Sequence, residues 1–271
     1  MDRDYVLGTH EAELARLGRQ NAIWRPRALD AWRRAGITVG QRVIDVGAGP
    51  GYASLDLAEV VGAQGEVIAL DRSEGFLAHL RAAAAGRGLG QVRTVATDLA
   101  RDELPAEVAD ADAAWCRWIF TFLGAPRAAL EKVAARIRPG GAIVIHEYVD
   151  YATWRLVPRV ASLDWFVAAV MESWRSEGGE PNIGVELIPW LEDAGCRIEC
   201  VNPIADVIGR ADFVWHWLAG FFDTGLARLV ALGRVEAAEA EAMRRDFAAA
   251  AADPRTRMVT PLVCEIIARR V

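Results

Sequence analysis

Two periodicities alternate along the first half of the chain. Residues 10–36 place apolar side chains at Leu14, Leu17, Ile23, Leu29 and Trp32, the spacing of one helix face, and Gly36 ends the run. Short apolar runs then recur: RVIDVG (42–47), GEVIALD (65–71), VRTVATD (92–98), DADAAWCRW (110–118) and GAIVIHEYV (141–149). Their length and composition predict strands, the fourth weaker in β-propensity. Between them, residues 52–61, 73–86 and 126–137 are patterned as helices, the second alanine-rich and ended by Gly86. Strands and helices in alternation build βαβ units. The expected class is therefore α/β, a parallel sheet with helices on both faces.

After residue 150 the rhythm changes. Residues 155–176 read as one long helix and 184–194 as another, ended by Gly195. CRIECVNPIADV (196–207) reads as a strand, 211–232 and 234–251 as helices, and MVTPLVCEIIAR (258–269) as a final strand. Two helical insertions are thus expected to roof the carboxyl ends of the strands, where open α/β sheets bind ligands. Several of the ten tryptophans fall in this region, which suits a roofed apolar pocket. The expected organisation is one domain over 1–271. It comprises an N-terminal helical cover (1–40), a cofactor-binding core (41–150), a helical insertion (151–180), and the end of the sheet with a second insertion (181–271, insertion 211–252).

Candidate chemistry concentrates in VIDVGAGPGYAS (43–54). Gly47, Gly49 and Gly51 are spaced G-x-G-x-G, one residue tighter than the dinucleotide fingerprint. By its glycines alone the loop admits any adenosine-bearing ligand. Asp45 precedes it at the strand end, where it would meet a cation rather than a pyrophosphate, and Pro50 removes one amide donor. Asp71 ends the second strand, where a carboxylate accepts ribose hydroxyls. Asp98, followed by Leu99, ends the third and is placed to accept an adenine amine. Each acid alone also fits a helix N-cap or a solvated turn. Three at one crevice favour a ligand.

VIDVGAGPGYASLDLA, VIALDRS, ATDL and IRPGGAIVIHEY, in this order and spacing, resemble the successive motifs of class I S-adenosylmethionine-dependent methyltransferases. Nearest is the ubiquinone/menaquinone-biosynthesis-like branch and its small-molecule relatives. The resemblance covers residues 40–150 well and the last strands loosely. It implies a Rossmann-like seven-stranded sheet whose last strand is antiparallel, and S-adenosyl-L-methionine as methyl donor with S-adenosyl-L-homocysteine as product. It also implies that Asp45, Gly47, Ala48, Gly49 and Gly51 line the methionine and ribose end, with Asp71 on the ribose beside Arg72. Asp98 and Leu99 would flank adenine, and Arg117 would lie near the methionyl group. Ala48 stands where many relatives carry a cysteine. If the amino-terminal segment closes over the cofactor, Gln20 and Trp24 are contacts, and His10, near Tyr5, belongs to that segment.

Methyl transfer by direct displacement needs alignment and exclusion of water, plus a general base where the nucleophile carries a proton. His146 is the candidate base or substrate-orienting residue, with His216 on a roof helix second. Trp118, Phe120, Phe122, Glu147, Tyr148, Tyr151, Trp165 and Trp217 are the expected acceptor-pocket residues, and Phe122 equally suits burial beneath the next helix. The expected acceptor is a small, aromatic or apolar molecule methylated on O, N or C. The alternatives are a non-catalytic S-adenosylmethionine-binding protein and, less compatible with the tight glycine spacing and Asp45, an NAD(P)-dependent oxidoreductase.

Charge and composition narrow the setting. The net charge is −6 and no basic cluster stands out, which argues against a nucleic-acid partner. No apolar run reaches the length of a membrane span, and the charged first residues lack a signal-peptide centre. Four scattered cysteines give neither a disulfide framework nor a zinc site, so no metal is expected and a reducing cytoplasm is the expected location.

Overall fold

The computed structural model describes residues 11–271. Five parallel strands, β1 (Arg42–Val46), β2 (Glu66–Asp71), β3 (Val92–Ala96), β4 (Ala111–Arg117) and β5 (Ile137–Asp150), form most of one sheet. Helices α1 (Glu11–Ala35), α2 (Tyr52–Val61), α3 (Glu74–Gly86) and α4 (Pro126–Ala134) flank them. In chain order there follow β6 (Arg155–Val157), α5 (Ala161–Ser176), α6 (Leu187–Asp193), β7 (Cys196–Ile204), β8 (Val207–Ile208), α7 (Trp215–Ala231), α8 (Ala237–Ala252), β9 (Arg257–Val259) and β10 (Leu262–Arg270). The large sheet has seven strands in the order β3-β2-β1-β4-β5-β10-β7. β10, the last strand, runs antiparallel to both neighbours.

Both faces of this sheet are covered, so its central strands are apolar without alternation. Val43 and Val67 pack with Trp32 of α1 and Leu57 of α2, whereas Ile44 and Ile68 face Leu130 of α4 and Leu187 of α6. A third apolar cluster lies above the strand ends. There α5, α7 and α8 supply Phe166, Trp217, Phe222 and Phe247, and α1 contributes Trp24.

Three expected elements are cut differently. The helix expected over 155–176 begins only at Ala161, because Val157 precedes Pro158 and a residue before proline is driven out of the helical region. Leu156 instead pairs with Met258 in a second, three-stranded sheet of order β6-β9-β8. The strands expected over 196–207 and 258–269 each divide, sending β8 and β9 into that sheet. Pro261, which has no N–H to give to a ladder, stands at the second break. Thr260 and Asp206 close the gap, Asp206 N–H donating to Thr260 Oγ1 and Thr260 N–H to the Asp206 carbonyl. The small sheet is the footing of the roof. No helix among the described residues is long and apolar enough to cross a membrane.

Candidate active site

A cavity of about 450 Å³ opens at the carboxyl ends of the strands, beneath α1, α5 and α7. One end is built by the loop after β1. Gly47, Gly49 and Gly51 all take positive φ, so the chain turns sharply. A side chain at Gly49 would meet nothing within 4 Å, whereas one at Gly51 would strike Leu80 of α3 at 2.3 Å. Gly49 therefore bares backbone to the cavity. Gly51 lies off the cavity wall and lets α2 and α3 approach, which corrects its expected place in the cofactor lining.

Asp71 ends β2 and is held by backbone: Gly49 N–H donates to Oδ2 at 2.7 Å and Ser73 N–H to Oδ1 at 2.8 Å. Burial pushes its pKa up, against those two hydrogen bonds. Asp45 is buried at the end of β1 and accepts from Ser54 Oγ at 2.5 Å. Burial raises its pKa to about 6, opposed by the Ser54 hydrogen bond and the Arg117 charge. Arg117, the last residue of β4, donates from Nη2 to Asn21 Oδ1 at 2.8 Å, while its buried Nη1 has no partner. Burial lowers this guanidinium to about 10. Asn21 in turn donates to Asp56 at 3.1 Å and so ties α1 and α2 to the end of β4.

The other end is aromatic. Trp118 follows β4 in the left-handed region (φ 51), a strained position for a bulky residue, and its N–H donates to the His146 carbonyl. Packing holds it there. Trp118 stacks on Trp217 of α7 and on Tyr148 of β5, each at 5.4 Å, and meets the edge of Trp24 at 4.9 Å. Tyr151, Trp174 and Phe221 complete this end.

The cavity thus brings together Gln20, Asp45, Gly47, Ala48, Gly49, Asp71, Arg72, Asp98, Leu99, Arg117, Trp118, Tyr148, Tyr151 and Trp217 from the sequence reading, with Phe122 at its wall. Others fall outside it. Trp24 packs behind Trp118 and Trp217. His146 is on the same strand face as Tyr148 but two residues deeper, sealed between Trp24 and Trp115. Its Nε2 lies 3.1 Å from Glu265, and burial lowers its pKa, so it stays neutral and out of reach as a base. Glu147 points to the opposite face and accepts the N–H groups of Phe120, Thr121 and Tyr148. Burial lifts it to about 7. Phe120 is buried among sheet and α4 side chains. Trp165 faces outward on α5, 41% exposed, and His216 is exposed beside Phe213. The expectation for His10 and Tyr5 lies outside the described residues.

Asn21, Arg16, Thr97, Trp174 and Phe221 also line the cavity. For Asn21 a signal existed: it interrupts the apolar stripe of α1 between Leu17 and Trp24. Trp174 is among the tryptophans expected in the roof, but which helix face looks inward depends on packing between distant segments. Among the described residues no group of three or more His, Cys, Asp or Glu side chains is set to hold a metal ion.

Residues 43–141 match a family model described as a methyltransferase domain. Over these residues the core is similar to a methyltransferase domain. Its glycine loop, Asp71 and Arg117 all lie within the matched residues. The demethylmenaquinone methyltransferase of Geobacillus kaustophilus is 38% identical over 77 residues, which are 28% of this chain and 32% of that protein. The chain thus spans about a third of the length of that curated relative. Among solved structures, the YcgJ protein of Bacillus subtilis aligns over 90% of this chain and 97% of its own, at 15% identity and a TM-score of 0.56. The (4+2)-cyclase SpnF aligns over 90% and 80%, at 19% and 0.55. A coclaurine N-methyltransferase bound to N-methylheliamine and S-adenosylhomocysteine aligns over 88% and 68%, at 16% and 0.53. These likenesses show the fold alone.

Proposed function

We propose that this protein transfers a methyl group from S-adenosylmethionine to a nucleophilic atom of a small, aromatic or apolar molecule. The observation that carries the reading is one cavity whose two ends differ in kind. Acids and bare backbone line one end, aromatic rings the other, and Arg117 and Trp118 stand at the junction. Residues at the first end fit the donor. Asp71, fixed by two backbone N–H groups, keeps lone pairs for the ribose hydroxyls, and Asp98 and Leu99 border the adenine. The bare backbone at Gly49 leaves room for the ligand to approach. Asp45 faces an amino group, and the unpartnered Nη1 of Arg117 suits a carboxylate. Two acids near the loop are poor company for a pyrophosphate, which disfavours a dinucleotide.

When bound, the donor supplies a methyl group on a positively charged sulfur. The chain's own work is alignment and exclusion of water. Its buried walls at Trp118, Tyr148 and Tyr151 keep the acceptor end dry. Isothermal titration with S-adenosylmethionine and S-adenosylhomocysteine tests the donor, and no binding at millimolar ligand overturns the proposal. Binding of both without S-adenosylhomocysteine formation across a library of small aromatic acceptors favours a non-catalytic binding protein instead.

A further inference from the structure

The chemistry of the aromatic end goes further than its shape. Rings around a methyl-transfer cavity are commonly read as a cage for a cation, which requires free ring faces. Trp118 does not have them to give. It is stacked on Trp217 and Tyr148 at interplanar angles of 13° and 10°, and the Arg117 guanidinium lies 5.5 Å from its ring centre. What Trp118 offers the cavity is its rim, which carries the positive side of the ring quadrupole. Tyr151 and Trp174 meet edge to face at 4.9 Å, and Tyr148 and Tyr151 at 4.8 Å, so each such contact occupies one ring face, and Tyr148 gives another to Trp118.

Two polar groups point the same way. Glu13 and Arg16 form a buried ion pair with contacts of 2.6 and 2.8 Å, yet Arg16 lines the cavity and Glu13 does not. The pair turns its cationic end inward, above Phe221. Tyr151 is 1% exposed, and its backbone N–H is bonded to Asn182, while its hydroxyl bonds to no described residue. Burial raises its pKa far above the ordinary range of a phenol, so the hydroxyl stays a donor. Tyr151 lines the cavity and its hydroxyl has no described protein partner, so a ligand oxygen there gains a hydrogen bond.

We infer that the acceptor end selects an uncharged aromatic molecule bearing an oxygen, bound by the Tyr151 hydroxyl, and rejects cationic acceptors. This inference rests on the methyl-transfer reading and narrows its substrate class.

The test uses the full chain with S-adenosylhomocysteine present and three probes of similar size: 4-ethylphenol, ethylbenzene and phenyltrimethylammonium. Binding is read from tryptophan fluorescence, since Trp118, Trp174 and Trp217 line the cavity. One hydrogen bond predicts that 4-ethylphenol binds about five- to tenfold more tightly than ethylbenzene, and the ammonium probe more weakly than either. Tyr151→Phe keeps the ring and should bring 4-ethylphenol to the level of ethylbenzene, with S-adenosylhomocysteine affinity unchanged. A tighter ammonium probe, a phenol preference that survives Tyr151→Phe, or no saturable binding of either neutral probe overturns the inference. Failure of S-adenosylhomocysteine itself to bind the wild type overturns the methyl-transfer reading and this one with it. Bound S-adenosylhomocysteine with the wrong probe order overturns this one alone.

Discussion

Asp71 and Asp45 lie at the same end of the cavity but respond differently to substitution and to pH. Asp71 is fixed by Gly49 and Ser73 N–H groups, so its remaining lone pairs are already aimed. Asp71→Ala is expected to weaken S-adenosylhomocysteine binding by about 1–3 kcal/mol in isothermal titration, the loss of hydrogen bonds to a charged group. Asp45 is the pH-sensitive one. With its pKa raised to about 6, it is neutral in acid and anionic above that value. Only the anion attracts an amino group, so donor affinity should climb between pH 5 and 7. Titrations across that range should show the climb, and Asp45→Asn should flatten it. A wild-type affinity that is level from pH 5 to 7 would remove Asp45 from the amino-group site.

The small sheet is the element on which the roof stands. Leu156 of β6 and Met258 of β9 are fully buried and paired, at the point where the chain enters α5 and leaves α8. Leu156→Ala should cost about 2–5 kcal/mol in chemical denaturation, the range for truncating a buried leucine. This element was also the least legible in the sequence. The βαβ core could be read because its strands are continuous apolar runs and its loop acids sit at fixed strand ends, as Asp45, Asp71 and Asp98 illustrate. β6, β8 and β9 are two or three residues each and carry no periodicity. The pattern also could not tell the depth of a residue along a strand. His146 and Tyr148 share a face of β5, yet one is sealed under Trp24 and Trp115 while the other meets the cavity. Tertiary packing, not alternation, separates them.

At the scale of the whole molecule, Glu265 of β10 gathers three segments. Arg34 of α1, His146 of β5 and Asn202 of β7 all bond to its buried carboxylate. Burial alone would raise its pKa, but these partners hold it at about 2, against 4.5 for an ordinary glutamate. A depressed carboxylate contributes stability that is present above pH 4.5 and lost as pH falls towards 2. The pH-dependent share is about 3 kcal/mol. His146, kept neutral by burial, acts in the same direction below its unfolded pKa, whereas Asp45 and Glu147, both raised, act oppositely between about pH 4 and 7. Comparing acid denaturation of the wild type with Glu265→Gln isolates the glutamate: the gap in stability should narrow from pH 4.5 downward. An unchanged gap would mean the cluster is not ionised as described. The same cluster has a consequence for synthesis. Arg34 reaches a partner 231 residues further along the chain, and Arg27 of the same helix pairs with Asp206, 179 residues on. The helix that supplies Gln20 and Asn21 to the cavity meets Asp56 of α2 early, but its bonds to Asp206 and Glu265 form only among residues made late. A chain still emerging from the ribosome can assemble the glycine loop and Asp71 locally, yet α1 gains its Glu265 and Asp206 anchors over the cavity only after β10 and the residues before it are made.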